Sequence, residues 1–138
     1  MRIKLILFTL FIVFSVVRAN CTVTVTVAKG TEENPIYLFY DGTAFDDIPY
    51  SDFVSDEWYY EIDGLTSGLS YYIDLFNLTG NVDLEVYTDV DFTNQVCGGS
   101  NSGTGNESCL AQASGTSLFV RVIYNGGGSG ANYEIDVY

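Results

Sequence analysis

The chain has no histidine, and among its 138 residues only five are lysine or arginine. Without histidine, a Ser-His-Asp or Cys-His constellation cannot be built, and the usual zinc donor sets are also out of reach, since no CxxC pair is present. With so little positive charge and 18 carboxylates, the chain repels nucleic acid and anionic lipid. It has two prolines and no stretch with helical caps and period. The apolar run at residues 5–17 is too short for a confident membrane span.

That run has a different reading. Arg2 and Lys4 precede it, and Val17-Arg-Ala19 supplies small residues after it. This is the pattern of a secretory signal peptide covering residues 1–19. The alternatives are a membrane anchor or a lipoprotein site at Cys21. Residues 20–138 then form one domain, large enough for a single core. After signal cleavage no membrane association is expected. Only Lys29 and Arg121 remain as cations. Such a surface suits a soluble extracellular protein, and it suits cations, calcium above all.

What fills the domain is period-two alternation. Thr22-Val-Thr-Val-Thr-Val27, Ile36-Tyr-Leu-Phe-Tyr40, Glu57-Trp-Tyr-Tyr-Glu-Ile62, Ser70-Tyr-Tyr-Ile-Asp-Leu-Phe76 and Val82-Asp-Leu-Glu-Val-Tyr87 read as strands. So do residues 117–124 and 132–138, which the Gly-rich segment 125–131 joins as an expected hairpin. Residues 108–112 add a short strand. Residues 41–56 are expected as a long acidic connection, and residues 89–108 as the longest loop. The fold class is all-β, an antiparallel jelly-roll-like β-sandwich.

Alternation also sorts the faces. Trp58, Tyr60 and Ile62 point inward, with Tyr71, Ile73, Leu75, Val82, Leu84, Val86, Leu118, Val120, Val122, Tyr133, Ile135 and Val137. The opposite faces are rich in aromatic side chains. Tyr59, Tyr72, Tyr87 and Phe119 are the candidate binding residues, expected as one outward platform for a glycan or protein surface. The bland alternative is that cross-strand aromatic pairs only stabilise the sheet.

Cys97 and Cys109 flank a Gly-, Ser- and Asn-rich loop. In an oxidising compartment they are natural partners. Cys21 is left over, free or linking two chains as a dimer. Asn20, Asn77 and Asn106 open glycosylation sequons. Catalysis finds little support: paired carboxylates can do glycoside chemistry, but nothing selects one pair among so many.

Tyr71-Tyr-Ile-Asp-Leu75, Gly80-Asn-Val-Asp-Leu-Glu-Val-Tyr87, Gly115-Thr-Ser-Leu-Phe-Val-Arg-Val122 and Gly130-Ala-Asn-Tyr-Glu-Ile-Asp-Val137 come in a telling order. With Ser55-Asp-Glu-Trp-Tyr-Tyr60 upstream, they resemble the bacterial pre-peptidase C-terminal domain over about residues 42–138. Relatives include the collagen-binding modules of bacterial collagenases. The resemblance implies a jelly-roll-like sandwich. It also implies a calcium site between an acidic N-terminal segment and an acidic loop. The matching residues here are Glu32 and Glu33, then Asp52, Asp56 and Glu57. Asp46-Asp47 and Asp89-Val-Asp91 are rival clusters, and a solvated acidic loop is the plain alternative.

The sequence thus points to a secreted, calcium-stabilised, non-catalytic module that binds an extracellular polysaccharide or protein partner. A structural or accessory subunit of an extracellular assembly or secreted peptidase is the first rival. A small secreted hydrolase is the second.

Overall fold

The computed structural model describes residues 30–40, 42 and 50–138. The signal segment, the expected strand at 22–27, Cys21, Asn20, Asp46 and Asp47 lie outside the described residues. Within them the chain forms nine strands: β1 (Ile36–Phe39), β2 (Tyr50–Val54), β3 (Glu57–Asp63), β4 (Ser70–Phe76), β5 (Val82–Tyr87), β6 (Gln95–Gly99), β7 (Glu107–Gln112), β8 (Leu118–Tyr124) and β9 (Ala131–Val137). They build a five-stranded sheet in the order β1-β3-β8-β5-β6 and a four-stranded sheet in the order β2-β9-β4-β7. Only β1 and β3 run parallel; every other pair is antiparallel.

The two sheets face each other across the side chains that alternation sends inward. Tyr60, Ile62, Val82, Leu84, Val86, Leu118, Val120 and Val122 come from one sheet, and Tyr71, Ile73, Leu75, Tyr133, Ile135 and Val137 from the other, all in one buried cluster. Apolar burial of this kind contributes roughly 25 cal/mol per Å² removed from water. Trp58 sits at the rim, half-buried against the cluster, and its indole N–H donates to the Phe53 carbonyl.

Three expectations are corrected. β8 and β9 are not a hairpin. β8 pairs with β3 and β5 in one sheet, while β9 pairs with β2 and β4 in the other. The glycine-rich segment between them carries the chain from layer to layer, a path period-two alternation does not encode. The acidic connection at 41–56 contains β2, which pairs with β9 from Tyr50↔Ile135 to Val54↔Ala131. The long loop contains β6, an edge strand whose two glycines, Gly98 and Gly99, hide it from propensity.

Cys97 and Cys109 are disulfide-bonded with Cα atoms 5.8 Å apart. They stand on β6 and β7, the edge strands on the same side of the two sheets. The bond therefore joins the layers as well as closing a loop. The chain-entropy model gives a loop of this size about 3 kcal/mol.

Candidate binding site

Three of the four candidate aromatics do meet. Tyr59, Tyr87 and Phe119 stand on β3, β5 and β8, neighbours in the five-stranded sheet, with Tyr87 directly opposite Phe119. They are not an open platform, however: they are 8%, 6% and 8% exposed. Phe92 covers all three, its ring centroid 4.8 Å from Tyr59, 5.4 Å from Tyr87 and 5.8 Å from Phe119, each edge to face.

The loop that delivers this cap is organised by Asp89. Its carboxylate accepts from the backbone N–H of Thr93 (3.1 Å) and of Asn94 (2.7 Å), and from the Thr93 hydroxyl. These donors, the Thr93 hydroxyl first, hold the Asp89 carboxyl below the ordinary carboxylate range. Phe92 has φ 51°, a left-handed conformation that costs a bulky residue energy. Its three ring contacts compensate for that cost. Burial pushes the Tyr59 phenol up to about 12, with nearby Arg121 opposing and Glu57 adding to the rise.

Arg121 lies on the same face, 5.8 Å over the Tyr59 ring. It is ion-paired with Glu57 and with Glu85, the latter at 3.2 Å. Glu57 is therefore committed to a guanidinium. The other expected calcium ligands are equally dispersed. Glu32 and Glu33 are exposed on the turn at 31–34, and Asp56 is exposed beside β3. Asp52 turns toward the core, where the Tyr60 hydroxyl donates to it at 3.0 Å and is itself hydrogen-bonded to the Tyr133 hydroxyl. Burial, then the charge and hydrogen bond of its neighbours, holds the Tyr60 phenol far above its ordinary value. Among the described residues no three Asp, Glu or Cys side chains are placed to hold a metal ion. The five expected ligands are thus not gathered into one cluster, and of the rivals Asp89 is engaged by its own loop.

Tyr72 stands apart from the other three candidates. It is on β4, in the four-stranded sheet, and is 44% exposed. Its ring stacks on Tyr138, centroids 5.5 Å apart at 24°, and Tyr138 is 58% exposed. Leu110, directly opposite Tyr72 on β7, is exposed too. The pair is held in place by Asp74, which accepts from the Tyr138 hydroxyl (2.7 Å) and from Ser108 (2.6 Å). At the β2 end of the same sheet, Asp52, Phe53, Asn77, Asn132 and Glu134 line an open groove of about 460 Å³. Phe53 and Leu110 were not among the sequence candidates. Phe53 sits in the unexpected strand β2, and the only available signal for Leu110 was its outward position in a short alternating strand.

A buried carboxyl also escaped the sequence reading. Glu107 on β7 faces inward beside Cys109 and has no exposed surface. Its Oε1 accepts from the Asn101 N–H at 2.8 Å, while Oε2 has no hydrogen-bond partner. It fits because Gly99 faces it: a Cβ there would come within 2.3 Å of Oε2. Burial pushes the Glu107 carboxyl up, with the Asn101 N–H opposing and Asp83 adding to the rise.

The architecture has a known counterpart. The pre-peptidase C-terminal domain of a collagenase from Bacillus anthracis superposes with a TM-score of 0.59 at 15% sequence identity, covering 76% of this chain and 95% of that one. No protein-family model matches the sequence, and no curated protein matches it. The class defined by the fold is therefore a two-sheet β-sandwich of the pre-peptidase C-terminal type.

Proposed function

We propose that the protein is a secreted, non-catalytic module that binds an extracellular polymer or protein partner through the four-stranded face around Tyr72 and Tyr138. The observation that carries this reading is the stacked, exposed tyrosine pair with Leu110 beside it. Aromatic side chains on a rigid sheet supply contact area at low entropic cost, and they dominate many recognition surfaces. The absence of histidine and the likeness to a collagenase's pre-peptidase C-terminal domain favour a module over an enzyme. The basic start and apolar run at residues 2–17, with a disulfide at Cys97–Cys109, favour export to an oxidising compartment.

The test is capture of the protein on collagen-coated and polysaccharide beads. Tyr72→Ala should cut retention by about tenfold, the scale of a lost aromatic anchor, without moving the melting temperature. Full retention of the variant on a matrix that captures the native protein defeats the assignment.

A further inference from the structure

Among the described residues Arg121 is the only lysine or arginine, and it is spent on Glu57 and Glu85 of the five-stranded sheet. The four-stranded sheet has no cation. Its outward positions on β4 and β9 nevertheless carry Asp74, Glu134 and Asp136, with Asp74 directly opposite Asp136 in the register. Like charges facing each other across a ladder are destabilising. The donors these carboxylates do have are neutral. Asp74 accepts from the hydroxyls of Ser108 and Tyr138, Glu134 from the Asn77 amide at 2.9 Å, and Asp136 from the N–H of Val137. Neutral donors orient a carboxylate without cancelling its charge.

Exposed rings flank this acidic track at both ends. Tyr72 and Tyr138 lie at one end, and Phe53 at the other is 45% exposed beside the groove that Asp52 and Glu134 help line. The Phe53 ring is seated on Gly130, where a Cβ would come within 2.4 Å of it. A side chain at 130 would displace the ring. Rings set beside uncompensated carboxylates favour one ligand chemistry, a delocalised or compact cation, which gains ring-face attraction and charge pairing together.

Resting on the binding face proposed above, we propose that this face docks a basic segment of a partner protein, with an arginine or lysine side chain entering the groove between Phe53 and the carboxylate of Glu134. The segment's remaining cations lie along Asp136 and Asp74 toward the tyrosine pair.

The probe is a fluorescent oligo-arginine peptide, titrated against the whole protein by anisotropy at low and moderate salt, with oligo-glutamate as the negative partner. Binding should weaken as salt rises. Combining Glu134→Gln with Asp136→Asn should weaken it by about tenfold, and Phe53→Ala, at an exposed site, by about threefold. Combining Glu61→Gln with Asp91→Asn removes the same charge away from this face and should change affinity less than about twofold. Equal losses from both pairs would show attraction by net charge alone and overturn the proposal, as would no binding or an unchanged affinity in Phe53→Ala. If the peptide shows no preference for this face while a matrix still captures the protein through Tyr72, only the basic-partner inference falls. If Tyr72→Ala leaves matrix capture intact while the peptide behaves as expected, the proposed function falls in its polymer form alone.

Discussion

The two outer faces of this sandwich are written in the same alphabet and end in opposite states. On the five-stranded sheet, Tyr59, Tyr87 and Phe119 are roofed by Phe92, and Arg121 is ion-paired with two carboxylates. On the four-stranded sheet, Tyr72 and Tyr138 stack in the open, and three carboxylates have no counter-charge among the described residues. Alternation says which way a side chain points from its strand. Whether solvent waits there depends on a loop elsewhere in the chain, and one residue of that loop, Phe92, closes a face.

The contrast can be broken most severely at that residue. Phe92→Ala should destabilise the protein by about 2 kcal/mol, below the range for a fully buried Phe because this ring is only half-buried. It should also expose Tyr59, Tyr87 and Phe119. Urea unfolding measures the first effect and uptake of a hydrophobic dye the second. Stability and dye response matching the native protein would mean that the sheet, not the loop, keeps this face dry.

Arg121→Gln should make the closed face resemble the open one in charge. Glu57 and Glu85 would lose their cation, at a cost of about 1 kcal/mol because the pairs are partly exposed. Part of the loss should be restored by high salt, which screens the two carboxylates. A variant as stable as the native protein at low salt would show that these pairs contribute nothing.

The smallest expected effect concerns Glu107, at the seam between the sheets and belonging to neither face. Burial raises its carboxyl, so the folded protein keeps that proton to a higher pH than the unfolded chain. Stability from this group is therefore fullest below the unfolded value, falls as pH rises toward the folded value, and stays lower above it. Glu107→Gln keeps the acceptor for Asn101 and removes the charge. Its melting temperature should lie above that of the native protein at neutral pH, and the gap should close in acid. A constant gap across that window would mean that the carboxyl is neutral or charged alike in both states.

How much of this was legible follows from the same distinction. The inward residues of β3, β4, β5, β8 and β9 could be read from period two because each strand has one face on the core. The pairing of Cys97 with Cys109 could be read from redox context and spacing. Strand partners could not: a chain entering β9 from β8 looks alike whether it folds back in its own sheet or crosses to the other. The candidate aromatics were sorted correctly as outward, yet three of them are covered, because Phe92 reaches them through a turn that Asp89 builds and not through any periodicity. The partners of the acidic set could not be read either: Glu57 answers Arg121, distant in sequence, and Asp52 answers Tyr60 across the core from the other sheet.

The crossing of β8 into β9 has a kinetic consequence. Among the described strands β2 has no ladder partner except β9, and β9 is the central strand between β2 and β4. Residues 50–54 therefore wait for residues 131–137, with nearly the whole described chain between them, before they can leave the unfolded ensemble. Such long-range pairing must close its loop before any contact repays the entropy, which places folding in the millisecond-to-second regime of non-local β proteins. Until β9 joins them, β2 and β4 have no strand between them and expose unpaired edges, so the interval before that pairing is the one most prone to aggregation.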